Sequence, residues 1–176
     1  MDKHYLTPLF APASIAVLAG RADNPEPLTS YAQALHPALR AQRFAGSLQF
    51  VDTHTSGTLA DLAQRKSDLA IIALPPAEVP AALEVAGRIG CRAALVLSSG
   101  MDADQAANLK KIARREGLYL LGPNSLGFQR PHLQLNASAA GPLASDGPLA
   151  LVCQSGALTS SILDWASNNA VGFSAV

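Results

Sequence analysis

The stretch Tyr119-Leu120-Leu121-Gly122-Pro123-Asn124-Ser125-Leu126-Gly127 decides how this sequence is read. Its first three residues are a short apolar run, expected as a buried strand, that breaks at once into a turn of glycine, proline and asparagine. Upstream the same alternation recurs. Apolar runs at residues 14–19, 47–51, 69–74 and 93–97 predict four more strands. Helical patterns fall between them at residues 28–39, 59–63, 79–89 and 102–116, with a short turn or helix at 5–10. Asp102 is the expected N-cap of the strongest helix and Gly117 its stop, while Gly90 stops the one before. Runs apolar at every position belong to strands covered on both faces. Strands alternating with helices therefore predict an α/β fold, a doubly wound parallel sheet with right-handed crossovers.

Such a sheet binds ligands beyond the C-terminal ends of its strands. The loops facing the expected site are then residues 20–27, 52–55, 75–78, 98–101 and 122–127. The first of them follows β-strand one, where a dinucleotide fold keeps its phosphate turn, but it lacks Gly-x-Gly-x-x-Gly. It holds one glycine, Gly20, with Asp23, Glu26 and two prolines, so an ordinary tight turn fits as well as a phosphate site.

The chain has 176 residues, 13 basic and 13 acidic side chains and a formal net charge of zero, which leaves no electrostatic footprint for nucleic acid or an anionic membrane. No stretch reaches the roughly 20 apolar residues of a membrane helix, and the N-terminus lacks a signal-peptide layout. Cys91 and Cys153 read as two reduced, buried thiols of a cytoplasmic protein. The four histidines have no metal-ligand spacing, so no metal is expected. His36, His54 and His132 are expected at the surface.

After Gly127 the composition changes. Residues 129–146 are rich in Pro, Gly, Ser and Ala and read as a connector, with one edge strand at 133–136. Then a strand at 149–153, a turn at Gln154-Ser155-Gly156 and a helix at 157–168 restart the pattern, and residues 173–176 begin another strand. Ile162, Leu163 and Trp165 are expected to pack into a core. So short a parallel sheet is unstable alone, which implies a piece of a larger protein or a second domain lacking its remainder. The expected division is residues 1–129, a connector at 130–148, and the start of a second domain at 149–176.

The turn before that last helix is an expected anion site. The Ser155 hydroxyl and the amides of Gly156, Ala157 and Leu158 would converge on one spot, with the helix dipole behind them. A nucleophilic serine is disfavoured, because Cys153 stands where a nucleophile elbow needs glycine and no base accompanies it. No catalytic residue is assigned.

Leu120-Leu121-Gly122-Pro123-Asn124-Ser125-Leu126-Gly127, Leu135-Asn136-Ala137-Ser138, Val152-Cys153-Gln154-Ser155-Gly156-Ala157 and Ile162-Leu163-Asp164-Trp165-Ala166 occur in one order at compatible spacing. Together they resemble the NDP-forming acyl-CoA synthetase superfamily, related to the succinyl-CoA synthetase α subunit. The resemblance is closest to its branch fused to a Gcn5-related acetyltransferase domain, the bacterial protein lysine acetyltransferases. It implies a Rossmann-like CoA-binding domain over residues 1–129 and the start of a flavodoxin-like ligase domain from Leu149. By matching position it implies that Gly20, Pro75, Pro76, Ser98, Ser99, Gly100 and Asn124 contact CoA or acetyl-CoA, and that Ser155, Gly156 and Ala157 hold a phosphate or phosphohistidine. Two loops depart from the family pattern: residues 20–27 are poor in glycine, and Asp52-Thr53-His54 stands where a lysine is usual.

Three functions follow as expectations. The first is a CoA- or acyl-CoA-binding module, inactive alone, whose partners are a CoA ester and downstream ligase-like or acetyltransferase domains. The second is a degenerate scaffold for domain or subunit contacts, including a homo-oligomer. The third is an NAD-dependent enzyme with Asp52 as its ribose-binding acid.

Overall fold

The computed structural model describes residues 4–20, 29–51 and 66–176. They fall into two compact units, Met1–Gln33 with Gly46–Ser125 and Ala34–Ala45 with Leu126–Val176. Within the described residues, the expected loop at 21–27, the helical segment at 59–63 and the residues Asp23, Glu26, Asp52 and His54 are not included.

The first unit is a five-stranded parallel sheet with β1 (Ser14–Leu18), β2 (Ser47–Phe50), β3 (Leu69–Ile72), β4 (Ala93–Val96) and β5 (Tyr119–Leu121) in the order β2-β1-β3-β4-β5. The expected α/β, Rossmann-like doubly wound sheet is the fold observed. The order is the flavodoxin-like variant of that architecture, whose strand sequence reverses between β1 and β3. The three inner strands are buried along nearly their whole length, which explains runs apolar at every position. Ala16, Leu18, Ala70, Ile72, Ala94 and Val96 point to one face. There they meet Val79, Ala82, Leu83 and Ala86 of α3 (Val79–Arg88) and Leu109, Ile112 and Ala113 of α4 (Ala103–Glu116). Removing such a side chain, as in Leu83→Ala, costs about 2–5 kcal/mol. Ile15, Val17, Leu69, Ile71 and Leu95, on the opposite face, are buried as completely.

The helix ends follow from single residues. The Asp102 carboxylate accepts the Gln105 amide at 2.8 Å while the Gln105 side chain accepts the Asp102 amide at 3.0 Å, a capping box. Gly117, left-handed at φ 71°, ends α4, and the Cys91 amide reaches back to the Ala86 carbonyl to close α3 around Gly90. Arg115 donates to Glu84 at 2.7 Å and so joins α4 to α3, which holds the Glu84 carboxyl below its ordinary range.

One expectation for this unit needs correction. β5 is an edge strand, with Tyr119 37% exposed, so the run at 119–121 is covered less than its composition suggests.

In the second unit, β6 (Gly127–Arg130) and β7 (Leu135–Ser138) form an antiparallel hairpin across the 3₁₀ turn Pro131–Leu133. The expected edge strand at 133–136 thus lies two residues later. β8 (Asp146–Ala150), α5 (Gly156–Asn168) and β9 (Phe173–Ala175) follow, the two strands pairing in parallel. Gln129, Asn136 and Ser138 are buried and mutually satisfied. Gln129 donates to Ser138 and to the Pro142 carbonyl and accepts from Ala144, Ser138 donates to Asn136, and Asn136 donates to the Gly141 carbonyl. This network fastens the loop after β7 to the hairpin.

Three further readings change here. Trp165 is 57% exposed, and Ile162 and Leu163 are only half-buried, so the apolar face of α5 is not a core face among the described residues. His36 is buried beside Leu35 and Leu39 in sequence, because α2 (Ser30–Arg40) turns that side inward; His132 is exposed. Cys91 is buried but Cys153 is exposed, on the turn before α5, and both are free thiols.

Candidate functional site

The strands of the first unit run level. Leu18, Ile72 and Val96 pair across β1, β3 and β4, and Leu95 pairs with Leu121 of β5. Their exits therefore open along one rim, where Gly20, Pro75, Pro76, Ser98, Ser99, Gly100 and Asn124 all lie. Pro75, Ser99, Gly100 and Asn124 are exposed, and Gly20 and Pro76 are half-buried. Pro76 and Gly100 are neighbours, since a side chain at Gly100 would come within 3.9 Å of the proline ring.

Ser98 is different. It is 3% exposed, and its hydroxyl donates to the Leu74 carbonyl at 2.6 Å, while its own carbonyl accepts the Asn124 amide at 2.9 Å. Its hydroxyl thus ties the exit of β4 to that of β3, and its backbone carbonyl ties it to the turn after β5. The turn after β5 depends on Gly122, at φ 100°, where a Cβ would lie 2.2 Å from the Val96 carbonyl oxygen. Only glycine fits so close to a neighbouring backbone. Asn124 follows at φ 57°, a left-handed conformation its short amide side chain tolerates, and that side chain stays open to solvent.

Thr29 lies just ahead of α2. It caps α2: its hydroxyl accepts the Ala32 amide at 3.1 Å and donates to the Ala73 carbonyl at 2.8 Å. The first turn of an eleven-residue helix is thereby fastened to the exit of β3, at the reversal between β1 and β3. An open parallel sheet takes its ligand at that reversal, and a helix start favours anionic groups. The signal in the sequence was a threonine three residues before an alanine amide, which is too common to single out.

In the second unit Ser155 caps α5 by accepting the Leu158 amide at 3.3 Å. The Ser155 amide points to the Cys153 sulfur at 3.4 Å. Of the donors expected to converge there, the Leu158 amide is thus spent on the cap, which leaves Gly156 and Ala157. Burial pushes the Cys91 thiol up to about 12, with the Asp68 carboxylate adding to it. Among the described residues no group of three or more His, Cys, Asp or Glu side chains could hold a metal ion, and no helix is long and apolar enough to cross a membrane.

Residues 47–131 match the family model described as CoA binding domain. That span includes the turns at Pro75-Pro76, Ser98–Gly100 and Asn124. The chain is 37% identical over 115 residues to an ADP-forming acetate–CoA ligase of Archaeoglobus fulgidus, covering 62% of this chain and 17% of that protein. It is 35% identical over 113 residues to the ADP-forming acetate–CoA ligase of Methanocaldococcus jannaschii, covering 62% and 16%. Among solved structures, the apo form of dinucleotide forming acetyl-coenzyme A synthetase 1 from Ca. Korarchaeum cryptofilum aligns with a TM-score of 0.83 and 25% identity, over 97% of this chain and 39% of that one. A Pyrococcus horikoshii OT3 protein aligns with the same TM-score at 26% identity, over 97% and 41%. The chain thus spans about a sixth of these two curated relatives and about two fifths of these structures. Residues 47–131 are thus similar to a CoA binding domain, and the two curated relatives named here are ADP-forming acetate–CoA ligases, not acetyltransferases.

Proposed function

We propose that this chain is the CoA- or acyl-CoA-binding module of an NDP-forming acyl-CoA synthetase-like protein and performs no turnover by itself. The match of residues 47–131 to the CoA binding domain carries the reading, because that span includes the exposed turns at Pro75-Pro76, Ser99-Gly100 and Asn124. The pantetheine arm would lie across the strand ends, and the phosphates would rest near Gly20 and the start of α2. Ser98 and Thr29 would position this rim rather than touch the ligand. The Gly156 and Ala157 amides, with the Ser155 hydroxyl, would receive a phosphoryl group in the ligase reaction of the whole protein. The partners would be the remaining ligase domains or subunits; the acetyltransferase parent has no support among the relatives named. Two free thiols agree with a cytoplasmic setting.

Isothermal titration with CoA and with acetyl-CoA tests the module. Saturable heat that Asn124→Asp abolishes is the expected result. Silence up to millimolar ligand, from a sample with a native melting transition, overturns the binding role. That silence would favour the scaffold reading, which the two acidic residues Asp23 and Glu26 in the first loop also motivate.

A further inference from the structure

The same sheet has a second pole. Ile15, Leu69, Ala93 and Tyr119 pair in one row across β1, β3, β4 and β5, so the residues just before them gather at the N-terminal ends of the strands. A cavity of about 320 Å³ opens there, roofed by α1 (Thr7–Phe10) and the residues leading into it. It lies at the opposite ends of the strands from the rim assigned to CoA. Its volume is at the low end of the roughly 300–1,000 Å³ usual for small-molecule sites, too little for a whole CoA.

The lining has a definite chemistry. The rings of His4 and Tyr5 lie 4.4 Å apart, and those of Tyr5 and Tyr119 lie 5.5 Å apart with a 49° tilt, making one wall aromatic. Tyr5 remains 59% exposed, although α1 has the sheet beside it on which to bury a ring. Arg92 is exposed and forms no ion pair among the described residues. Its backbone is held by both neighbouring strands, its amide donating to the Asp68 carbonyl and its carbonyl accepting from Tyr119. One oxygen of the Asp68 carboxylate accepts the Ala13 amide at 2.7 Å, which fixes that side chain at the cavity and leaves the other oxygen as an acceptor. A fixed acceptor, a cation with no ion pair among the described residues and a stacking wall thus share one small cavity.

We infer that this pole binds a small planar aromatic anion that also carries an N–H donor. Its ring would stack on Tyr5 and Tyr119, its carboxylate or phosphate would pair with Arg92, and its donor would meet Asp68. Aromatic amino acids and nucleoside monophosphates both supply that chemistry. The inference does not depend on the CoA reading.

Titration of the full chain with L-tryptophan, with AMP and with inorganic phosphate tests it, each followed by a CoA titration on the same sample. Saturable binding of tryptophan or AMP is expected, and whichever binds names the source. Arg92→Gln and Tyr119→Leu should each weaken that binding roughly tenfold, as loss of a charge-assisted contact or a stacked ring does, while the CoA titration stays unchanged. Both residues are exposed, so the unchanged melting transition of each variant is part of the result. No binding of either ligand at millimolar concentration overturns the inference. So does binding that both variants leave intact, or phosphate binding as tightly as AMP.

Discussion

The Thr29 hydroxyl stands between two backbones: it donates to the Ala73 carbonyl at 2.8 Å and accepts the Ala32 amide at 3.1 Å. One side chain thereby caps α2 and holds that helix start against the exit of β3. Thr29→Val keeps the shape and removes both bonds. It should cost about 0.5–2 kcal/mol in chemical denaturation, the range for a lost N-cap, and weaken CoA binding. Thr29→Ser should restore both. If valine and serine variants bind CoA equally well, the helix start has no part in the site.

Gly122 and Gly117 both have positive φ, but only Gly122 faces a wall. A Cβ at Gly122 would lie 2.2 Å from the Val96 oxygen, whereas one at Gly117 would meet nothing within 4 Å. Gly117→Ala should therefore cost only the left-handed backbone penalty, about 1–2 kcal/mol. Gly122→Ala adds a backbone collision to that penalty and should be the worse variant in a thermal melt, with CoA binding lost as the Asn124 turn shifts.

The two thiols should separate in a reagent titration. Cys153 is exposed and should react with a disulfide reagent in the native protein at mild alkaline pH, while Cys91 should react only after unfolding. Cys91 has its pKa raised from an ordinary 9.0 to about 12, so the folded state holds its proton more tightly than the unfolded chain. That contribution to stability is complete below pH 9.0 and is lost as pH rises from there through about 12. Denaturant midpoints measured across this window should fall, and Cys91→Ala should flatten the slope.

Ser138 is the hub of the buried amide network, accepting from Gln129 and donating to Asn136. Ser138→Ala leaves both amides short of a partner and should cost about 1–3 kcal/mol. Hydrogen exchange should report it first at the amides of Ala140 and Ala144, which the network holds directly.

Much of the first unit was legible because its residues act locally. Asp102 and Gly117 bound α4 as capping chemistry requires, and unbroken apolar runs marked the inner strands. The strand order was not legible, because it depends on which strand each helix returns to rather than on any short pattern. The hairpin β6–β7 was hidden for a different reason. Gln129, Asn136 and Ser138 look like loop residues until the hairpin and the loop after it bring their partners to them in the interior. In the same way Ser98 looked like a ligand donor, since nothing in its neighbours tells that its hydroxyl turns toward Leu74. Arg92, Asp68 and Tyr119 meet only because three strands start in register.

The Ser98 brace also bears on kinetics. With Leu74, Ser98 and Asn124 already stitched together, three of the turns that would meet the pantetheine arm need no rearrangement when it arrives. Rapid-mixing traces for CoA should then show one phase whose rate climbs in proportion to concentration, without the plateau that a slow reshaping step imposes.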